Sequence, residues 1–387
     1  MRKIHCMNPI SPKGLALLTE DYELTQQLTE AEGILVRSAD MHGCELPEGL
    51  LAVARAGAGV NNIPCDALAK KGIPVFNTPG ANANGVKELV VAALILASRD
   101  IVGGIAWAKG LGGDNIAAQV EKGKKKFAGQ EIRGKSLGVI GLGAIGVEVA
   151  NAAADLGMKV TGYDPFLSVA GALHLSTYIH YTQSLDEVLA QCDYLTIHVP
   201  LTDSTRGFFG EEAIGKMKDG VRVLNFARNE LVDNEAMARA LEAGKVSCYA
   251  CDFANEQTLA MPRCIAMPHL GASTEESEDN CAVMAVNELM DYLENGNIRN
   301  SVNLPDCDLG IKTPGQKRVA IFHRNIPNMI GQVTSAVASC GINISHMANK
   351  SRGEMAYTML DVETEDASAV RTLLGGISDV IKIRILG

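Results

Sequence analysis

Short apolar runs of strand length recur along the chain, each followed by Gly, Asn, Pro or another polar residue. They are Ile34–Ser38, Gly72–Asn77, Leu137–Ile140, Met158–Tyr163, Tyr194–His198, Val221–Asn225 and Cys264–Met267. Between them, apolar positions repeat at helical spacing over Val86–Ser98, Ala144–Leu156, Leu185–Gln191 and Asn234–Glu242. Near-continuous apolar strands alternating with helices predict parallel sheets covered on both faces. Ser273–Glu294 reads as a further helix, with Ser273 or Thr274 as N-cap, an acidic first turn at Glu275–Glu278 and Gly296 beyond its end. Asn300–Gln316 has no periodicity and carries Pro305, Gly310, Pro314 and Gly315, which predicts a linker. After it the order changes to strand Arg318–His323, helix Ile330–Cys340, strand Ile342–Met347, turn Ser351–Glu354, strand Tyr357–Val362, helix Asp366–Leu374 and strand Val380–Leu386. That βαββαβ order fits a ferredoxin-like unit. The expected fold class is therefore α/β: two Rossmann-like doubly wound parallel-sheet domains plus a small C-terminal βαββαβ domain.

Composition narrows the function. A net charge of −10 argues against nucleic acid or an acidic membrane surface as the main partner. Hydrophobic residues at 47% allow sizeable cores, and only 4% aromatics leave Val, Ile, Leu and Ala to fill them. No export or membrane segment is expected: Met1–Gly14 is polar, and the longest apolar run, Leu89–Ala97, has nine residues against the ~20 that span a bilayer. The ten cysteines show no framework spacing, and Cys192, Cys264, Cys281 and Cys340 sit in apolar surroundings. Cys248 and Cys251 form a C-x-x-C with no second pair or nearby His, which reads as strand packing rather than zinc or redox chemistry. The expectation is a reduced, cytoplasmic protein without a metal.

Gly141-Leu142-Gly143-Ala144-Ile145-Gly146 is a G-x-G-x-x-G placed between a strand and a helix. Gly141 permits the tight turn, Gly143 lets a pyrophosphate approach the backbone, and Gly146 packs the helix on the sheet. Asp164 ends the next strand, 18 residues after Gly146. A carboxylate there accepts from a ribose 2′-hydroxyl and repels a 2′-phosphate, so NAD is expected over NADP. Ligands of open α/β sheets bind beyond the strand carboxyl ends. At those ends stand Arg228, suited to hold a carboxylate, and His269, an imidazole suited to take a hydroxyl proton as hydride leaves the same carbon. Asp252 and Glu256 lie between them, and a carboxylate on the far nitrogen of His269 would fix its tautomer.

Arg228 within Asn225-Phe226-Ala227-Arg228-Asn229-Glu230-Leu231-Val232-Asp233, and His269 within Pro268-His269-Leu270-Gly271-Ala272-Ser273-Thr274-Glu275, resemble the signatures of D-2-hydroxy-acid dehydrogenases. The resemblance covers nearly the whole chain, and the C-terminal segment is similar to an ACT domain. It implies catalytic roles for Arg228, Glu256 and His269, and a cofactor site of Gly141, Gly143, Ala144, Ile145, Gly146, Asp164, Ala227, Asp252 and Gly271. The family places its Glu five residues after the Asp, where this chain has Gln257; Glu256 is preferred because a neutral Gln would not stabilise an imidazolium. Substrate contacts are implied at Arg37, Ser38, Arg55, Gly59 and Asn82, and serine-sensing contacts at His323, Asn325 and Asn343. Asn328 departs from the Gly that ACT domains usually carry after the Pro. The basic run Lys122–Lys126 reads as a solvated loop.

The implied domains are 1–90 with 275–300 for substrate, 91–274 for NAD, linker 301–316, and 317–387 for regulation or oligomerisation. The implied activity is NAD-dependent oxidation of a phosphorylated three-carbon hydroxy acid, leading towards serine. The implied assembly is a homodimer or homotetramer with L-serine as effector. A glyoxylate or hydroxypyruvate reductase is the alternative within the family, and a non-catalytic NAD-sensing protein the alternative outside it.

Overall fold

The computed structural model describes residues 1–387, the side chain of Ala170 excepted. The chain divides into two compact units, Met1–Asn82 with Glu278–Gly387, and Ala83–Ser277.

The first unit opens with a parallel sheet of β1 (Arg2–Cys6), β2 (Tyr22–Thr25), β3 (Gly33–Val36), β4 (Ala52–Arg55) and β5 (Val75–Phe76), in the order β2-β1-β3-β4-β5. Helices α1 (Pro12–Leu15) and α2 (Cys65–Lys70) connect it. The second unit contains α3 (Ala83–Leu96), α4 (Ile101–Lys109), α5 (Ile116–Gly123), β6 (Ser136–Ile140), α6 (Ala144–Asp155), β7 (Lys159–Tyr163), α7 (Val169–His174), β8 (His180–Thr182), α8 (Leu185–Gln191) and β9 (Tyr194–Ile197). It continues with α9 (Glu211–Lys216), β10 (Val221–Asn225), α10 (Asn234–Glu242), β11 (Val246–Cys251), α11 (Glu256–Ala260) and β12 (Cys264–Ala266). Its seven strands are all parallel, in the order β12-β11-β10-β9-β6-β7-β8. Apolar cores cover both faces: Leu195, Val223 and Tyr249 lie in one, Val139, Leu224 and Ala250 in the other. On β11, Cys248 and Cys251 fall at positions of opposite parity, so their thiols point to opposite faces of the sheet.

Helix α12 (Glu275–Asn295) contains the second unit boundary. Thr274 is its cap, the hydroxyl accepting from Ser277 N at 3.1 Å. Beyond it, β13 (Lys317–Arg324), α13 (Met329–Ser339), β14 (Ile344–Arg352), β15 (Met355–Val362), α14 (Ser368–Gly375) and β16 (Val380–Leu386) form an antiparallel sheet of order β14-β15-β13-β16.

Two features differ from the sequence reading. Strands β1, β2, β4 and β8 were not expected, yet β1 lies between β2 and β3, with Ile4 wholly buried. The C-terminal sheet groups with the first unit rather than standing apart, and the first boundary falls at 82/83 rather than 90. Packing and charge both explain the grouping: Ala320, Phe322, Tyr357 and Met359 share one apolar core with Leu289 and Tyr292 of α12 and with Ile4 and Phe76 of the parallel sheet. Arg384 of β16 donates to the carbonyls of Tyr292 (3.2 Å) and Leu293 (3.0 Å), and Arg318 of β13 donates to that of Asn295 (2.9 Å). These are last-turn carbonyls of α12, where the helix end favours a cation; that of Tyr292 also accepts from Gly296 N at 2.9 Å. Arg318 also forms a buried two-pronged pair with Asp361, at 2.6 and 2.9 Å. The predicted linker is tied down as well: the Asn303 side chain accepts from Val75 N and donates to the Cys65 and Ile73 carbonyls. Among the described residues, no single helix is long and apolar enough to cross a membrane.

Candidate active site

The strand order of the second unit reverses between β6 and β9, since β7 and β8 continue on one side of β6 and β9 to β12 on the other. Such a switch point leaves a crevice beyond the strand ends. The Gly141–Gly146 turn lies there. Gly141 has φ +93°, and a Cβ on it would come within 2.5 Å of the His198 carbonyl oxygen. A Cβ on Gly146 would lie 1.9 Å from the Gly141 carbonyl oxygen, so only glycine fits. A Cβ on Gly143 would meet no atom within 4 Å. Gly143 is the N-cap of α6 and no side chain bonds to that helix end. The turn thus keeps open space over amide donors and the positive end of a helix, which fits a pyrophosphate. Ala144 and Ile145 form the first turn of α6. Asp164 accepts from Leu142 N and from Phe166 N, both at 2.8 Å. Each oxygen keeps a further lone pair, so the carboxylate that holds the turn can also take ribose hydroxyls.

Three adjacent strands bring the reacting groups to the same edge: Arg228 follows β10, Asp252 follows β11 and His269 follows β12. Buried Asn225, the last residue of β10, brackets the arginine loop. Its side chain accepts from Ala227 N (3.2 Å) and donates to the Arg228 carbonyl (2.9 Å), while its carbonyl accepts from Asp252 N (3.2 Å). The half-buried Arg228 guanidinium bonds only to the Ala227 carbonyl, at 2.6 Å, leaving most of its fork for a ligand. Asp252 is 2% exposed, and its two oxygens accept from Leu270 N and Gly271 N, both at 2.7 Å. That clamp holds His269 at φ +59°, a conformation non-glycine residues seldom adopt. Gly85 of α3 packs behind the turn, since a Cβ there would lie 3.1 Å from the Gly271 carbonyl oxygen. The His269 ring is exposed on one side and meets Phe253 edge-on, 5.5 Å between centroids.

The carboxylate–imidazole contact expected from sequence is not formed. Asp252 binds the backbone beside His269, and Glu256 is the exposed first residue of α11, with its carboxylate unpaired. Gln257 is turned elsewhere: its Oε1 accepts from Asn234 at 3.0 Å. Asn255, the α11 N-cap, donates to Asn229 Oδ1 at 3.2 Å, so amides join the arginine loop to α11. Sequence reasoning also passed over His198, which follows β9 at the switch point. Burial pushes its imidazole down to about 3, its Nε2 bonds with Thr196 Oγ1 at 2.9 Å, and its buried Nδ1 has no partner. Its signal was position alone, a polar residue just past the strand Tyr194–Ile197.

In the first unit, Arg37 and Arg55 stand at the ends of adjacent strands. Arg55 Nε donates to the Arg37 carbonyl at 2.9 Å, and Arg37 pairs with Glu278. Asn8, also missed, accepts from the backbone N–H of Arg37, Ser38 and Ala39. Ser38 is exposed and Gly59 half-buried. Asn82 Oδ1 is buried without a hydrogen-bond partner. The Lys122, Lys124, Lys125 and Lys126 side chains are exposed. In the C-terminal sheet, His323 is buried, with Nδ1 bonded to the Arg324 carbonyl and Nε2 to Thr358 Oγ1, each at 2.8 Å. Asn325 donates to the Gly353 carbonyl at 3.1 Å. Asn343 is at the other end of the sheet: Ile344 pairs with Val362, while His323 pairs with Ala356. At ~3.4 Å per residue that separation is roughly 20 Å, so one chain does not bring the three together. Asn328 takes φ +66°, which Asn tolerates where Gly would be usual.

A dinucleotide cradle beside an Arg–Asp–His set on three neighbouring strand ends defines an NAD-dependent oxidoreductase. Residues 93–271 match the family described as D-isomer specific 2-hydroxyacid dehydrogenase, NAD binding domain. The chain belongs to that family. It is similar to the D-3-phosphoglycerate dehydrogenase of Haemophilus influenzae, 31% identical over 381 residues that cover 94% of this chain and 88% of the relative. The protein of the same name from Homo sapiens is 35% identical over 294 residues, 73% of this chain but 52% of the relative, so the chain spans about half that protein's length. Among solved structures, NAD⁺-bound 3-phosphoglycerate dehydrogenase from Entamoeba histolytica aligns with TM-score 0.61 at 28% identity, covering 78% of this chain and 98% of that one. A glyoxylate reductase from Paecilomyes thermophila aligns with TM-score 0.64 at 27% identity over 78% and 98%.

Proposed function

We propose that the chain oxidises 3-phospho-D-glycerate to 3-phosphohydroxypyruvate with NAD, the first step towards serine. The observation that carries the chemistry is that Arg228 and His269 follow β10 and β12, the two strands flanking β11, at the same sheet edge as the Gly141–Gly146 turn. A dinucleotide held by the Gly141–Gly146 turn and Asp164 would supply the acceptor for the C2 hydride. Arg228 holds the C1 carboxylate and polarises the C2 oxygen through its free N–H groups. An imidazole nitrogen of His269 takes the C2 hydroxyl proton as the C–H bond breaks, so oxidation leaves a carbonyl, reduced cofactor and an imidazolium. Asp252 positions that imidazole by holding the peptides after it. Glu256, whose carboxylate is unpaired at the start of α11, is the group assigned as its electrostatic partner.

The phosphate preference rests on Arg37 and Arg55, two guanidiniums at the ends of adjacent strands. The C-terminal βαββαβ unit supports an ACT-type role. With Asn343 remote from His323 and Asn325, a serine site there needs two chains. Self-association is further supported by α4, which buries no residue and exposes Val102 and Ile105. The test is NADH formation from 3-phosphoglycerate beside unphosphorylated glycerate. The phosphorylated acid should win by at least ~10-fold in kcat/KM, as loss of a charge-assisted contact worth ~1.5–3 kcal/mol requires. Preferred turnover of glycerate, or of glyoxylate in reverse, would transfer the assignment to the reductase branch.

A further inference from the structure

The first unit carries a second cationic site at the opposite end of its parallel sheet from Arg37 and Arg55. A cleft of about 520 Å³ is walled by Arg2, Leu51, Arg371, Lys382 and Arg384, and no carboxylate lines it. Arg2 opens β1 and Leu51 immediately precedes β4, so the cleft lies at the strands' amino ends. Arg55 closes β4 at the other end, roughly 13 Å away at ~3.3 Å per residue.

The four cations are unequally engaged. Arg384 is committed to the α12 carbonyls, and Arg2 leans on Glu32 at 3.3 Å. Lys382 is half-buried with a single partner, the Leu50 carbonyl at 3.0 Å. Arg371 on α14 is exposed and its guanidinium is unpaired. Lys382 and Arg384 alternate with Ile383 and so share one face of β16. Burial and the Arg384 charge push the Lys382 amine down to about 8. Of the four cations only Arg2 has a carboxylate beside it, and the excess positive charge is costly to desolvate, a cost that an anion in the cleft would offset.

We propose that this cleft binds a phosphate dianion, free or as the head of a small phosphate monoester, with Lys382 and Arg371 as direct ligands. An ammonium beside one unpaired guanidinium fork suits a tetrahedral oxyanion, whereas a polycarboxylate would need a second free fork. Lys382 belongs to the C-terminal sheet and Leu50 to the approach to β4, so the occupant ties the C-terminal sheet to the parallel one.

The test is lysine acetylation of the full chain by N-hydroxysuccinimidyl acetate at pH 7.5, read by mass spectrometry, with inorganic phosphate or with chloride at equal ionic strength. Phosphate should slow modification of Lys382 at least tenfold and leave exposed Lys109 unchanged. Arg371→Ala should raise the protecting concentration at least fivefold with NADH formation unaltered. Glycerol 3-phosphate protecting at lower concentration than phosphate assigns the occupant to a monoester, and equal protection assigns it to the free ion. The proposal falls if phosphate leaves Lys382 labelling unchanged, if Arg371→Ala is protected like the parent, if citrate protects at lower concentration than either phosphate, or if Lys382 is inert without phosphate.

Discussion

The two parallel sheets share a plan and differ in what fills the switch-point crevice. In the first unit the reversal lies between β1 and β3, in the second between β6 and β9. Beyond β1, Asn8 Oδ1 accepts from three successive backbone N–H groups, at 3.2, 3.1 and 2.8 Å, and Ser11 caps α1 through its hydroxyl. Beyond β6, the turn is glycine, α6 has no side-chain cap, and a missing Cβ leaves space at Gly143. Topology supplies a crevice in both. A dinucleotide site arises only where the sequence withholds the side chains that would satisfy the amides.

The largest expected break falls on the second sheet. His269→Ala should lower kcat on the order of 10³-fold, with little change in KM for NAD. An unchanged kcat would remove the imidazole from the reaction. Arg228→Ala should cost about 100-fold in kcat/KM, with KM for the hydroxy acid raised and kcat lowered, because one cation serves both binding and polarisation. Arg222→Ala is the control, since that arginine of the same strand bonds to the Ala97 carbonyl and lies over the Tyr194 ring. It should lower thermal stability and spare KM; equal kinetic losses in both variants would mean that Arg228 is structural.

Gly143→Ala tests the contrast directly. The added methyl meets no protein atom, so folding is spared, but it occupies the pyrophosphate's approach. KM for NAD should rise about tenfold with the melting temperature unmoved. Gly146→Ala, forced within 1.9 Å of a backbone oxygen, should instead lower stability outright. Asn8→Ala frees three amides of the first sheet and should cost about 1–3 kcal/mol of stability without touching the NAD constant. If Gly143→Ala and Asn8→Ala gave the same signature, the distinction between the sheets would be lost.

Much of the second sheet was legible because its strands are apolar and its cradle depends on glycine at set intervals. The first sheet hid its interior strand β1: Arg2, Lys3 and His5 surround Ile4, and with Cys6 alone beyond them no apolar run marks it. The βαββαβ order was readable from punctuation at Gly341 and Gly353, both at positive φ. Its grouping with the first unit was not, because Arg318 and Arg384 meet α12 carbonyls from strands far along the chain. At the candidate site, the strand-end positions of Arg228, Asp252 and His269 were visible. The use of Asp252 as a backbone clamp, and of Asn225 and Asn8 as loop brackets, was not, since side-chain bonds to main chain leave no pattern in sequence.

The smallest effect separates the units by pH. Each buries an ionisable group short of a hydrogen-bond partner, and the two titrate in opposite senses. His198 in the second unit is held at about 3 by burial, below its ordinary 6.5, so its folded form binds fewer protons. Its contribution is fully present above pH 6.5 and fades as pH falls towards 3. Glu288 in the first unit is pushed up to about 8 by burial and by Asp306, against the bond from Asn300. Its folded form binds more protons than the unfolded chain, so stability is greatest below about 4.5 and declines as pH rises towards 8. Its Oε2 is buried without a partner, yet Glu288 also lines a cleft of about 390 Å³ with Arg299. Solvent entering there relaxes the charged form and leaves an effect of roughly 1 kcal/mol. Glu288→Gln should therefore raise the melting temperature by about 2–4 °C at pH 8.5 and leave it unchanged at pH 4. Equal shifts at both pH values would show that the substitution acts through packing and that the carboxyl is not strained by its charge.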